Sequence, residues 1–234
     1  MEQGTLLYEG KAKKVYSTPD PAQVIQYFKD DATAFNAEKK GTIFNKGIVN
    51  NKISIRLFRL LEEAGIPTHF IEELSDREMR TKHLKIIQIE VVVRNRATGS
   101  LVKRLGFEEG MILDPPLVEF FYKNDPLGDP LITEDHVRLL QLATDAQVAE
   151  LRRVALRINE VLLPFFKERG MMLVDFKLEF GDSDGQLILA DEISPDTCRF
   201  WDIQTGERMD KDRFRKDLGR LEETYQEVLK RVCA

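Results

Sequence analysis

The chain has 234 residues, of which 42% are hydrophobic and 32% are charged, and its formal net charge is -5. This composition is typical of a globular protein with a core, and the acidic balance disfavours binding to nucleic acid or to an anionic membrane. No apolar run approaches the ~20 residues that span a bilayer, so we expect no membrane-spanning helix.

The first third of the chain predicts short strands and one helix. Leu6 to Tyr16 has the pattern of two strands around a turn, and Val24 to Phe28 predicts a third strand. Residues 30–46 are polar and predict an irregular, mobile loop. Apolar residues then recur at helical spacing from Ile48 to Ala64, and Gly65 is a suitable C-terminal cap.

The remainder of the chain mixes strands and helices. Phe70 to Leu74 and Ile86 to Arg94 predict strands, and Asp114–Pro115–Pro116 interrupts the pattern. A long helix is predicted from Asp145 to Arg169, and a final helix from near Asp210. The buried face of that final helix would comprise Phe214, Leu218, Leu221, Tyr225 and Val228.

This order of elements indicates an α+β protein, with strands first and mixed strands and helices after them. We expect a β-rich N-terminal lobe over residues 1–85 and a larger C-terminal α/β lobe over residues 86–234. The chain has two cysteines, Cys198 and the penultimate Cys233, and its first residues have no apolar signal core. We therefore expect no structural disulfide and a cytoplasmic location.

Residues 173–196 alternate apolar and charged side chains and predict a β-hairpin. If its apolar side chains point to a core, Asp175, Lys177 and Glu179 share the opposite face. Such a face is either a solvated sheet surface or a site. More charges of both signs than a solvated face needs follow on the returning chain: Asp191, Glu192, Asp196 and Arg199.

The register of this hairpin decides which charged residues meet. A three-residue loop at Ser183–Asp184–Gly185 would place Lys177 opposite Asp191 and Glu179 opposite Leu189. Glu179 and Asp191 would then be diagonal neighbours, ~7–8 Å apart at the backbone. Two carboxylates at that separation can converge on Mg²⁺ together with water and phosphate oxygens. The alternative is an exposed face on which Lys177 simply pairs with Asp191.

Two basic segments are candidates for binding phosphate. Lys11 and Lys13 share a face of their strand, and an anion between them would relieve their repulsion. Residues 94–100 follow a predicted strand and offer the Arg94 guanidinium, the Ser100 hydroxyl and backbone N–H groups. The alternatives are a lysine-rich exposed hairpin and an ordinary basic turn.

At this point the motifs resemble those of a known family. EVVVRNRATGS (90–100) and LVDFKLEFG (173–181) resemble the two signatures of the SAICAR synthetase family, the phosphoribosylaminoimidazole-succinocarboxamide synthases of purine biosynthesis. Blocks of similar order and spacing extend the resemblance over essentially the whole chain: YEGKAKKVY (8–16), NNK (50–52), KND (123–125), DEISPD (191–196) and MDKDRFR (209–215). One departure is Gln88, where the family usually has proline.

The resemblance implies a two-lobed fold with antiparallel sheets and ATP bound in the cleft between the lobes. It also implies a reaction in which ATP, L-aspartate and the carboxylated aminoimidazole ribonucleotide (CAIR) give SAICAR, ADP and phosphate, through an acyl phosphate. Phosphoryl transfer of this kind needs positioning and charge neutralisation, which the acidic and basic motifs supply. A homodimer is a further implication.

Carried over to this chain, the resemblance implies a role for each group of site residues. ATP would contact Lys11, Lys13, Val15, Lys82, Leu84, Ile86 and Lys123. Mg²⁺ would be held by Glu179 and Asp191. The ribonucleotide phosphate would be held by Arg94, Ser100 and Arg199. The base and carboxylate of the ribonucleotide would be oriented by the catalytic residues Asp175, Lys177 and Asp196. The aspartate pocket is not specified, although the loop with Lys39, Lys40 and Lys46 could contribute cations.

Two other functions are compatible with parts of this pattern. A kinase-like enzyme, or another ATP-dependent carboxylate–amine ligase with a different acceptor, would share four of these residues: Lys11, Lys13, Glu179 and Asp191. It would not need the cluster of Arg94 to Ser100 and Arg199. A nucleic-acid-binding module could use residues 94–104 without any catalysis, but the net charge of -5 argues against it.

Overall fold

The computed structural model describes residues 4–34, 39–183 and 185–234. Residues 35–38 of the predicted loop, and Asp184 of the predicted hairpin turn, lie outside these ranges. The strands are β1 Leu6–Glu9, β2 Lys13–Ser17, β3 Gln23–Phe28, β4 Asp31–Ala34, β5 Lys39–Thr42, β6 Phe70–Ser75, β7 Glu78–Lys82, β8 Lys85–Arg96, β9 Ile112–Tyr122, β10 Leu131–Ile132, β11 Met171–Ser183, β12 Gln186–Ala190 and β13 Cys198–Asp202. The helices are α1 Lys46–Glu63, α2 Ser100–Leu105, α3 Glu134–Leu139, α4 Asp145–Glu168, α5 Asp212–Arg215 and α6 Leu221–Cys233.

The N-terminal part forms a five-stranded antiparallel sheet of order β1-β2-β3-β7-β6, and α1 packs against it. The predicted apolar stripe of α1 is buried, with Ile53, Leu57 and Leu61 completely inaccessible. Burial of each such side chain contributes roughly 1.5–3 kcal/mol to stability. The helix ends where predicted, because Gly65 adopts a φ of 77° that favours glycine.

The C-terminal part forms a second sheet of order β10-β9-β8-β11-β12, with β13 paired to β11 and α4 packed against β8, β9 and β11. The predicted alternation of β11 is confirmed, since Phe176, Leu178 and Phe180 lie in the core. Its other face is not solvated, because Asp175 and Glu179 are buried as well. The alternative of an exposed charged face is therefore wrong.

Three expectations about secondary structure are wrong. Described residues of the predicted loop form the β4–β5 ribbon. Gly41 of this ribbon packs closely on the Phe214 ring, which a Cβ atom at that position would approach to 3.0 Å. The predicted final helix is divided into α5 and α6, because Asp217 and Arg220 adopt positive φ. Strand β9 passes through Pro115 and Pro116, which fall in a break of its pairing with β8 and so withhold no ladder bond.

The two sheets are joined by a short connection. Strand β7 ends at Lys82 and strand β8 begins at Lys85, so the chain passes between the sheets close to the predicted lobe boundary. Helices α1 and α6 pack on each other and link the two parts of the chain again. Among the helices of the described ranges, none is both long enough and apolar enough to cross a membrane.

Candidate active site

A cleft of about 700 Å³ lies between the two sheets. Its walls come from β1, β2 and β3, from the connection after β7, from β8, from residues 123–129 and from the ends of β11 and β12. Eight residues proposed from the sequence line it: Lys13, Val15, Lys82, Leu84, Ile86, Lys123, Glu179 and Asp191. Lys11 does not line the cleft, but its ammonium group pairs at 2.7 Å with Asp125, and Asp125 does line the cleft.

The connection between the sheets is held close to β11 by a glycine. A Cβ atom at Gly181 would lie 2.6 Å from the Leu84 Cβ, which is too close for any other residue without a shift of the backbone. The glycine that ends the second signature therefore allows residues 82–84 to pack on β11 at the edge of the cleft.

Lysines and carboxylates alternate at the floor of the cleft, which comprises Lys13, Glu90, Lys123, Lys177, Glu179 and Asp191. The Lys177 ammonium lies 2.5 Å from Glu179, 2.8 Å from Glu90 and 3.6 Å from Asp191. Lys123 pairs with Glu179 at 2.9 Å. The Lys13 ammonium hydrogen-bonds to Asp191, so Glu179 and Asp191 each meet two lysines.

Strong mutual stabilisation keeps these groups charged. Burial alone would raise the pKa of Asp191, but the ammonium groups of Lys13, Lys177 and Lys123 hold that pKa well below its ordinary value. Burial alone would lower the pKa of Lys177, but Glu179, Asp191 and Glu90 raise it well above the ordinary lysine value. Asp191 and Lys177 therefore stay charged across the neutral pH range.

The predicted register of the hairpin is wrong by one residue. The loop between β11 and β12 holds two residues, so Ser183 pairs with Gln186 and Glu179 pairs with Ala190. A glycine at position 185 suits a two-residue and a three-residue loop, so the sequence did not distinguish them. Asp191 follows the end of β12 with a φ of 62°, and this turn of the backbone brings it to the Lys177 ammonium that Glu179 also contacts.

These two carboxylates have the chemistry of a site for a hard cation. Both reach the same ammonium group, so one cation can lie within reach of both. Within the described ranges, no group of three or more His, Cys, Asp or Glu side chains is placed to hold a metal ion. A metal here would therefore need water or ligand oxygens besides Glu179 and Asp191, which is the usual environment of Mg²⁺.

Lys177 also lines a smaller cavity of about 190 Å³. All six residues that the sequence assigned to the second substrate line it: Arg94, Ser100, Asp175, Lys177, Asp196 and Arg199. Arg215, which was not among them, also lines the cavity. The structure therefore brings together residues from four separate parts of the sequence.

Arg94 is the buried centre of this cavity and is 3% exposed. Its guanidinium donates to Glu119 at 2.7 Å, to Asp175 at 2.6 Å and to Ser100 at 3.1 Å. Asp175 also accepts from Arg199 at 2.8 Å, so one carboxylate fixes two guanidinium groups. These contacts use three of the five N–H bonds of Arg94 and orient the group.

Asp196 is held by residues to which the sequence gave no definite role, although Lys46 had been named as a possible source of positive charge. Its carboxylate accepts from the Lys46 ammonium at 2.6 Å and from the Tyr225 hydroxyl at 2.7 Å, and Lys211 lies 3.6 Å away. Burial would raise the pKa of Asp196, but Lys211 and Lys46 hold it well below its ordinary value. The MDKDRFR block contains Lys211 and Arg215 and was the available signal for both.

Asp210 gives this region a pH dependence of stability that can be measured. It is fully buried and accepts N–H bonds from Phe200 and Asp212, yet burial and the nearby Asp212 carboxylate raise its pKa to about 7. Between pH 4 and 7 the folded protein retains a proton that the unfolded chain loses, so the contribution of this carboxyl to stability falls as the pH rises.

We expect the difference in unfolding free energy between the parent protein and Asp210→Asn to be largest near pH 4 and to shrink by ~4 kcal/mol towards pH 8, because one pKa unit corresponds to about 1.4 kcal/mol. Urea unfolding at a series of pH values measures it. Leu139→Ala, at an exposed position without an ionisable group, is the control and should give a flat difference. A flat difference for Asp210→Asn would contradict the prediction.

Comparisons with known proteins give one consistent result. The model of the family described as SAICAR synthetase matches residues 6–232. The chain is similar to the phosphoribosylaminoimidazole-succinocarboxamide synthase of Chlorobaculum parvum, with 59% identity over 99% of each chain. It is also similar in structure to the corresponding synthase of Ehrlichia chaffeensis, with a TM-score of 0.96, 47% identity and coverage of 98% and 99% of the two chains. A SAICAR synthetase (Type-2) in complex with ADP has a TM-score of 0.93, 48% identity and coverage of 96% of each chain.

Proposed function

The chain belongs to the SAICAR synthetase family, and from this premise we propose that the cleft and the adjoining cavity form its active site. The enzyme is an ATP-dependent ligase of purine biosynthesis that joins L-aspartate to the carboxylate of 5-amino-1-(5-phospho-D-ribosyl)imidazole-4-carboxylate (CAIR). The products are SAICAR, ADP and phosphate. The observation that carries the site assignment is Lys177, whose side chain lines the cavity while its ammonium contacts Glu179 and Asp191 in the cleft.

We infer that ATP occupies the cleft. Its base would lie along residues 82–86 against the apolar side chains of Val15, Leu84 and Ile86, and its phosphates would reach Lys11, Lys13 and Lys123. Lys13 and Lys123 now pair with the floor carboxylates, so phosphate binding would draw these ammonium groups from carboxylate to phosphate oxygens. Glu179 and Asp191 would hold Mg²⁺, which neutralises charge on the phosphate oxygens when bound.

The ribonucleotide would occupy the cavity. Arg94, Ser100 and Arg199 would hold its phosphate, and the Asp175 carboxylate orients both guanidinium groups. Two N–H bonds of Arg94 remain for such a ligand after the contacts to protein. Asp196 would orient the base and Lys177 would meet the reacting carboxylate, because each lines the cavity.

The reaction then proceeds by two displacements. An oxygen of the CAIR carboxylate attacks the γ-phosphorus of ATP, the bond to the bridging oxygen breaks, and ADP leaves with an acyl phosphate formed. The amine of aspartate then attacks the acyl carbon and forms the C–N bond. The C–O bond of the acyl phosphate breaks, so phosphate leaves with the former carboxylate oxygen, and the nitrogen releases a proton. Lys13, Lys123 and Lys177 are fixed cations where negative charge accumulates, so the protein contributes positioning and electrostatic stabilisation.

We infer three further properties from the family resemblance. The protein would act in the cytoplasm, and it would assemble as a homodimer. Its division into lobes at residues 1–85 and 86–234 is a proposal that the sheet boundary between Lys82 and Lys85 supports. The cysteines fit a reducing compartment, because Cys198 and Cys233 are both free.

Release of ADP, measured with each substrate omitted in turn, tests the function. Formation of ADP should require CAIR and ATP, and full turnover should require aspartate as well. Turnover with another amino acid but not with aspartate would favour a ligase with a different acceptor. Binding of random duplex DNA at micromolar concentration without ATP turnover would favour the nucleic-acid-binding alternative.

The acyl phosphate has a test of its own. With ATP labelled by ¹⁸O in the β,γ-bridge, CAIR without aspartate should promote migration of the label to non-bridging β-phosphate positions, because reversible transfer frees the β-phosphate to rotate. Absence of CAIR is the control and should leave the label in place. Efficient turnover with no migration under any condition that retains ADP on the enzyme would contradict the intermediate.

Ser100→Ala tests the assignment of the cavity to the ribonucleotide. The Ser100 hydroxyl is accessible and contacts Arg94, so we expect its loss to raise the CAIR KM about 10-fold, since one hydrogen bond to a charged group contributes ~1.5–3 kcal/mol. The KM for ATP should change less than twofold. Ser75→Ala, at the end of β6, is the matched control and should alter neither KM. Equal changes in both KM values would remove Ser100 from the proposed site.

A further inference from the structure

Glu192 is a buried carboxylate beside the floor of the cleft, and the sequence gave it no role. It directly follows Asp191 after the end of β12 and is only 3% exposed. Although Asp191 lines the cleft, Glu192 lines neither the cleft nor the cavity. A carboxylate in such a place is costly unless other groups of the protein compensate its charge.

Both oxygens of Glu192 have partners inside the protein. Oε1 lies 3.3 Å from Lys13 Nζ, and among the residues that the structure describes Lys13 is the one basic side chain that pairs with Glu192. Oε2 accepts from the Ser194 hydroxyl. Ser194 is fully buried, and its hydroxyl also accepts from the Asp196 N–H at 3.1 Å. The loop between β12 and β13 therefore holds the carboxylate in place beside Lys13.

Lys13 lies between two carboxylates that differ in accessibility. Its ammonium group hydrogen-bonds to Asp191, which lines the cleft, and pairs with Glu192, which does not. The buried ring of Phe28 is a further contact, with its centroid 5.3 Å from the same ammonium group. A ligand that enters the cleft can therefore compete with Lys13 for Asp191 but not for Glu192.

A cation bound by Asp191 would remove one of the two anions that neutralise Lys13. The cation and the ammonium group would also repel each other across a few ångströms of a partly desolvated cleft. If Asp191 were the only anionic partner of Lys13, the ammonium group would compete with the cation for this carboxylate. Glu192 removes that conflict, because it offers the ammonium group a second carboxylate that the ligand does not reach.

We propose that Glu192 is a positioning residue that holds the Lys13 ammonium group when Asp191 turns to Mg²⁺. This inference rests on the proposed metal site and on the proposed placement of ATP. Glu192 acts through Lys13 and touches neither metal nor nucleotide. An ammonium group has three N–H bonds, so Lys13 can keep its contact with Glu192 and still donate to a phosphate oxygen. The exchange of partners then leaves no buried charge uncompensated.

The Mg²⁺ dependence of ADP binding at equilibrium tests the proposal without relying on turnover. The parent protein is compared with Glu192→Gln, which keeps the size of the side chain and an acceptor for the Ser194 hydroxyl but has no charge for Lys13. We expect the Mg²⁺ concentration that gives half of the gain in ADP affinity to rise about 10-fold, which is within the usual range for coupled sites. The affinity for ADP without Mg²⁺ should change less than about threefold, because Lys13 then keeps Asp191 as its partner.

Lys13→Met separates an action through Lys13 from a general loss of negative charge. In this background Glu192→Gln should leave the Mg²⁺ dependence unchanged within about twofold, because the interaction that it removes is already absent. Equal shifts in both backgrounds, or no shift in folded Glu192→Gln, would overturn the proposal.

Glu192→Asp keeps the proposal testable if Glu192→Gln does not fold. Its carboxylate is charged but one methylene shorter in reach, so the contact with Lys13 is weakened rather than removed. A rise of more than about threefold in the Mg²⁺ requirement supports the proposal, and a smaller change overturns it. If the ADP affinity of the parent protein does not respond to Mg²⁺, the metal site itself is contradicted, and this inference falls with it.

Discussion

We expect Asp191→Asn to lower the turnover number for ATP-dependent SAICAR formation by ~10³-fold or more, which corresponds to about 4 kcal/mol of lost transition-state stabilisation. The substitution retains the size of the side chain but replaces an anionic oxygen by an amide nitrogen. In the parent protein this carboxylate faces Lys13 and Lys177 and lies beside Glu179. Its loss would leave a single carboxylate for Mg²⁺ and place an N–H group against ammonium groups.

Two measurements distinguish loss of the metal site from loss of the fold. Binding of ADP should become tighter with Mg²⁺ in the parent protein and should gain little from Mg²⁺ in Asp191→Asn. Far-UV circular dichroism should be unchanged. Asp182→Asn, on the same hairpin but outside the cleft, is the control and should keep both turnover and the effect of Mg²⁺. Near-normal turnover in Asp191→Asn would exclude Asp191 as a metal ligand.

The β11–β12 hairpin shows which features of the site could be predicted from the alternation of side chains along one strand, and which could not. Strict alternation in β11 identified the faces of Phe176 and Leu178, because side chains of a strand alternate whatever surrounds it. It could not reveal that Asp175 and Glu179 are buried too, since the strands that flank β11 come from distant parts of the sequence. The one-residue error of register arose at the turn, where Gly185 is compatible with two loop lengths.

The contacts between segments that are far apart along the chain could not be predicted from the sequence. Lys46 and Asp196 are 150 residues apart and form a buried ion pair, and Tyr225 reaches Asp196 from α6. Lys46 stood in a segment that predicted an irregular loop, and Tyr225 stood on an apolar helix stripe that predicted core. No periodicity distinguishes a tyrosine that only packs from one that also donates its hydroxyl to a buried carboxylate. The motif resemblance gave Asp196 a role but not the residues that hold it.

We expect Arg94→Ala to lower the free energy of unfolding by ~3–5 kcal/mol. The loss is this large because the substitution removes one partner from a buried ionic network. Asp175 and Glu119 would remain buried, and each would keep only one guanidinium, from Arg199 and Arg104 respectively. Urea unfolding at neutral pH measures the loss. The slope with denaturant should be unchanged if the variant still unfolds in one step.

Arg104→Ala is the matched control for that experiment, because it removes a guanidinium from the same Glu119 but from a side chain that is 30% exposed. Pairs of this kind contribute ~0–1 kcal/mol, so its stability should stay within about 1 kcal/mol of the parent. A similarly small loss in Arg94→Ala would contradict the buried network. At temperatures where Arg94→Ala remains folded, its KM for CAIR should rise much more than its KM for ATP. The same side chain would then stabilise the fold through Asp175 and Glu119 and bind substrate through its two remaining N–H bonds.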